Sequence, residues 1–87
     1  MKGQANQQVA AAGQLTNNAF RLLQGAPSVE NRRTALSLLV EAGRLFEQAA
    51  MTYKALVPQY ATQTDVENSL QAMQKCIQTI SEIKASL

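Results

Sequence analysis

Apolar residues recur at steps of three and four along three successive stretches of this chain. In the last stretch Val66, Leu70, Met73, Ile77, Ile80, Ile83 (or Lys84) and Leu87 follow that spacing. It lines one face of an α-helix, because 3.6 residues make a turn. The middle stretch repeats it with Ala35, Leu39, Ala42, Phe46, Ala49, Tyr53 and Leu56. The first carries Val9, Ala12, Leu15, Ala19, Leu22 and Leu23, with Phe20 on the flank. The spacing predicts helices over about 4–24, 29–57 and 65–86. Short connections between three helices imply antiparallel neighbours, so the expected fold is all-α, an up-down-up three-helix bundle in a single domain.

The punctuation agrees with these bounds. Gly25 can take the left-handed conformation that closes a helix, and Pro27 cannot continue one. Ser28 reads as an N-cap, and Glu30 suits the positive end of the next helix dipole. Pro58 ends the second helix, since the residue before a proline is pushed out of the helical region. In the connection that follows, Tyr60 is expected to fold back over the core. Thr64-Asp65-Val66-Glu67 fits a capping box, in which hydroxyl and carboxylate each satisfy a backbone donor of the other residue. Gly13 weakens the first helix by roughly 1 kcal/mol relative to alanine. The first four or so residues read as frayed. The third pattern is still regular at Leu87, so the chain reads as a piece cut from a longer protein near a helix end. No repeat of solenoid length is present.

Composition narrows the interior. Hydrophobic residues make up 46% of the 87, but much of that is alanine, and aromatics are only 5% with no Trp. Small residues let helix backbones approach, so closely spaced helices are expected rather than a bulky centre. A chain of this length buries roughly 60–65% of the surface its unfolded form exposes, a modest core. The net charge of +2 is spread along the chain without a dense basic run, which argues against a nucleic-acid partner. A single cysteine, Cys76, makes no internal disulfide and fits a reducing compartment. No run approaches the ~18 apolar residues of a membrane span, and the start lacks the apolar centre of a signal peptide. The expected placement is cytoplasmic.

Chemistry is sparse. There is no histidine, and so neither the commonest general base nor the commonest metal ligand. The six carboxylates sit at helix starts or on expected solvent faces. No phosphate loop, metal spacing or serine–base arrangement occurs, so no cofactor and no enzymatic activity is expected. What remains is surface. Leu36, Leu38, Leu45 and Ala50 widen the apolar arc of the second helix beyond one face. Such an arc touches two neighbouring helices, or one neighbour and a partner. In the second case Leu38 and Leu45, with Met73, Cys76 or Ile80 opposite, line a groove for a partner's amphipathic helix or extended tail. Arg44, Lys75 and Lys84 then stand at its rim to meet acidic residues. Cys76 equally suits filler at the core edge. A rival reading is a small self-associating helical adaptor or secretion-type chaperone that uses the same apolar face as a homo-oligomer contact.

The run Ala35-Leu36-Ser37-Leu38-Leu39-Val40-Glu41-Ala42-Gly43-Arg44-Leu45-Phe46-Glu47-Gln48-Ala49 resembles the second helix of MIT (microtubule interacting and transport) domains. Those helices carry alanines at intervals of seven with leucine and aromatic residues between. Lys75-Cys76-Ile77-Gln78, Ile80, Ile83-Lys84 and Leu87 resemble the closing helix of that family. Alanine-rich TPR-type hairpins share the pattern. The resemblance implies a three-helix module that binds short tails of ESCRT filament proteins between its helices. It would link a larger protein to membrane-trafficking machinery, with Leu38, Leu45 and Ile80 as groove candidates.

Overall fold

Residues 2–25 and 28–87 are described in a computed structural model of the chain. Three helices form: α1 Gly3–Gln24, α2 Val29–Leu56 and α3 Gln63–Ser86, with no strand among the described residues. The order is up-down-up. Lys2, at the start of α1, bonds Asp65, at the start of α3, at 2.8 Å, so these two helices begin at the same end. α2 packs against both neighbours, while α1 and α3 barely touch. The cross-section is accordingly broader than deep, 20 by 14 Å over a length of 46 Å.

The inward stripe of α2 is the one its spacing predicts. Ala35, Leu39, Ala42, Phe46, Ala49 and Tyr53 are buried, because helices cover this face from both sides, while Leu56 at the helix end is half-buried. From α1, Ala5, Ala12 and Ala19 are fully buried against it. These alanines let the two backbones approach, and Leu15, Leu22 and Leu23 are only half-buried around them.

α3 departs from expectation. Val66 and Ile83 are buried, but Leu70, Ile77 and Leu87 are exposed. Ser69 and Cys76 turn inward instead. Neighbours on a helix stand about 100° apart, so this exchange swings the buried face round toward α1. Gly43 of α2 marks where the two helices meet. A Cβ placed there would stand 3.7 Å from Cys76 Cβ, an ordinary packing distance, so the small Cys76 faces Gly43 where the two helices meet closely.

The helix ends also refine the sequence reading. α1 begins at Gly3 rather than fraying, and Lys2 is tied down by its ion pair. Gly25 is not left-handed: its φ is −74°, and its N–H donates to the Arg21 carbonyl at 3.2 Å. Ala26 and Pro27 lie outside the described residues. Ser28 caps α2 as expected, its Oγ accepting from the Asn31 N–H at 3.0 Å. α2 stops at Leu56, one residue early, with Val57 extended before Pro58. Tyr60 does not cover the core but is exposed, and Ala61 is buried in its place. The capping box forms two residues before the expected one. Thr62 Oγ1 accepts from the Asp65 N–H at 3.2 Å, and the Asp65 carboxylate accepts from the Thr62 N–H at 3.0 Å. Lys2 meets the Asp65 carboxylate there as well, at 2.8 Å. That ammonium, with the Thr62 N–H, holds the Asp65 carboxyl below the usual carboxylate range.

A candidate binding furrow between α1 and α3

Because α1 and α3 barely touch, a shallow opening runs between them above the buried face of α2. The opening is a furrow built from three stripes. On α1, Val9, Gly13, Thr16 and Phe20 follow steps of four, three and four, and so share a face beside the buried alanines. On α3, Asn68, Ala72, Lys75 and Thr79 follow the same steps. Leu39, Phe46 and Tyr53 of α2 supply the floor. Gly13 and Thr16 on one wall and Ala72 and Thr79 on the other are small, so the furrow stays open between them.

Two adjoining pockets make up its length, sharing Phe46 and Ala72. The first encloses about 180 Å³ between Gly13, Thr16 and Phe20 on one side and Cys76 and Thr79 on the other. Its lining is almost wholly apolar, with Asn17 and Lys75 as the polar residues nearest solvent. An apolar void of about 150 Å³ takes a benzene-sized group, so this pocket fits one large apolar side chain. A Cβ added to Gly13 would meet nothing within 4 Å, so the glycine itself contributes open space. The second pocket, about 230 Å³, is more polar, with Tyr53, Asp65, Asn68 and Ser69 around Val9.

The polar groups here are largely spoken for. Thr16 Oγ1 donates to the Ala12 carbonyl at 2.8 Å and lies 3.9 Å from Cys76 Sγ. Burial pushes the Cys76 thiol up, so it stays protonated and unreactive at neutral pH. Tyr53 donates its hydroxyl to Asn6 Oδ1, and burial, reinforced by the Asp65 charge, raises its phenol too. Asp65 is neutralised by Lys2. Lys75 enters no ion pair among the described residues, which leaves the first pocket with a positive rim. No group of three His, Cys, Asp or Glu among the described residues is placed to hold a metal.

Of the residues the sequence nominated, the furrow gathers Cys76 and Lys75. Met73 and Ile80 are half-buried and pack on the core. Leu38 and Leu45 do likewise, on the flank of α2 that carries Gln48, which accepts a hydrogen bond from Gln8 of α1 at 3.3 Å. They therefore face α1, whereas Gly43 marks the side facing α3. Arg44 lies on the exposed outer surface, its guanidinium donating to both Glu41 oxygens at 2.8 and 2.9 Å. Lys84 is exposed in the last turn of α3. These side chains do not converge on one groove. The α1 wall carries its own sequence signal, a mid-helix glycine spaced three and seven residues from Thr16 and Phe20.

No protein-family model, curated protein or solved structure matches this chain. No helix among the described residues is long and apolar enough to cross a membrane.

Proposed function

We propose that this chain is a non-catalytic interaction module that takes a short amphipathic segment of a partner protein into the α1/α3 furrow. The observation that carries this reading is the apolar first pocket with the unpaired Lys75 at its rim. The pockets are centred near Cys76 and Ser69, seven residues apart on α3, or about 10.5 Å along a helix. A helical occupant matches that interval with anchors two turns apart. The anchor over the first pocket is large and apolar, and an acidic residue beside it meets Lys75. The unpaired thiol of Cys76 favours a reducing, cytoplasmic setting. Binding of ESCRT-type tails, implied by the resemblance of residues 35–87 to MIT domains, is one specific form of this proposal.

Gly13→Leu tests it, because a Cβ at this position meets nothing within 4 Å and the larger side chain would occupy the pocket that Gly13 lines. Peptides selected from a random display library are titrated against wild type and variant, with amide shifts recorded by NMR. The expected winners are acidic and amphipathic, perturb Gly13, Thr16, Ala72 and Thr79, and lose at least about tenfold in affinity to the variant. The variant itself gains about 0.8 kcal/mol of helix propensity, raising Tm by about 3–6 °C. Winners that bind both proteins equally, or that perturb only the opposite face, refute the furrow as the site.

A further inference from the structure

Four large apolar side chains stand exposed on the side of the molecule away from the furrow. They are Val40 (53%) and Met51 (67%) on α2, and Leu70 (39%) and Ile77 (54%) on α3. Helical spacing puts all four on the outer face of the α2/α3 pair. Val40 follows the rotation from Gly43 away from α1, and Ile77 that from Cys76. Single exposed apolar residues are ordinary, but these four share one face, with Arg44 and Glu47 set between Val40 and Met51.

The layout of this patch is self-complementary. Val40 and Met51 are equidistant from the midpoint between Leu45 and Phe46, and Arg44 and Glu47 straddle the same midpoint. On α3, Leu70 and Ile77 are equidistant from the midpoint between Met73 and Gln74. The contact between Gly43 and Cys76 sets the antiparallel register of the two helices. Each midpoint lies two and a half residues from that contact, in the matching direction, so both stand at one height. A two-fold axis at that height has no net mismatch to absorb.

We propose that a second copy of this chain docks on this face through that axis, as a symmetric dimer of α2/α3 layers. Applying the axis brings Val40 against Met51 of the other copy, and Ile77 against its Leu70. Arg44 is brought level with the other copy's Glu47, and the reverse pair forms as well. Residues at positions spaced four, three and four share layers in this way when two helices run antiparallel. The charges agree: Glu47 has no ion-pair partner among the described residues, and Arg44 is held only by Glu41 of its own helix. A guanidinium has donors enough for both carboxylates. The furrow opens on the opposite side of α2, so dimerisation leaves it accessible, and this inference stands independently of the proposed function.

Sedimentation velocity between about 5 and 500 µM tests the proposal, a range that captures a small, partly polar interface. The expected result is a monomer–dimer equilibrium with Kd on the order of 10–100 µM. Arg44→Glu and Glu47→Arg alone each set like charges together twice, and raise Kd by at least about tenfold. Combining them restores opposite pairing and brings Kd back to within about threefold of wild type. Ile77→Lys, at an exposed site that does not carry the fold, also weakens association at least about tenfold. A protein that stays monomeric at the top concentration overturns the proposal. So does a dimer that ignores the single reversals, or one that the double reversal fails to rescue.

Discussion

The rotation of α3 makes a sharp prediction, because two isoleucines on that helix occupy opposite situations. Ile83 is 5% exposed and belongs to the main core, whereas Ile77 is 54% exposed. Ile→Ala removes three carbon groups at either site. At about 0.8 kcal/mol for each buried group, Ile83→Ala forfeits about 2.4 kcal/mol of transfer free energy, and the cavity left behind adds to this. Alanine returns about 0.4 kcal/mol of helix propensity. The net loss at Ile83 is therefore about 2–3 kcal/mol. At Ile77 only about half of the transfer term is at stake, no cavity forms, and the propensity gain is the same, leaving a loss of about 0.8 kcal/mol.

A domain of this length has a total stability of about 4–13 kcal/mol, so both variants fold. Urea unfolding followed by helical ellipticity resolves them. With a slope of about 1 kcal/mol/M, Ile83→Ala moves the midpoint down by about 2–3 M and Ile77→Ala by about 0.8 M. Measurement at about 5 µM keeps self-association from stabilising either protein. Equal shifts, or the larger shift at Ile77, would mean that α3 presents its bulky stripe inward and that the furrow wall is misplaced.

The α3 start carries two further predictions. Thr62→Ala breaks the capping box and lowers stability by about 1 kcal/mol, while Thr64→Ala changes it by less than about 0.5 kcal/mol, both read from urea midpoints. The reverse order would restore the later box. For Asp65, the folded carboxyl is depressed by Lys2. Its stabilising effect is complete well above the ordinary value of about 3.9 and is lost as pH falls through the lower, folded value. A carboxyl-carbon NMR titration should place its midpoint below that of a free aspartate, and Lys2→Met should raise it. A midpoint at or above the ordinary value contradicts the ion pair.

How much of this architecture the chain announces depends on which helix is asked. α2 is read correctly because its largest and most regular stripe is also the one sandwiched between neighbours, so size and burial coincide. In α3 they do not. Val66, Met73, Ile80 and Ile83 suit either face, and the choice falls between Leu70 with Ile77 and Ser69 with Cys76. Periodicity alone favours the larger pair. At the contact with Gly43 the small Cys76 faces α2 instead, and neither helix reveals its partner's register. The cap is a similar case. Thr62-Gln63-Thr64-Asp65 and Thr64-Asp65-Val66-Glu67 both have the required spacing, and the Lys2 that meets the Asp65 carboxylate comes from the far end of the chain. The furrow follows from the rotation of α3. Once the small face of α3 turns toward α1, its Ala72 and Thr79 confront Gly13 and Thr16 across a gap that none of them can fill. Spacing thus settles the number, length and direction of the helices. Their rotation, which brings the smallest side chains together, sets the location of any binding surface.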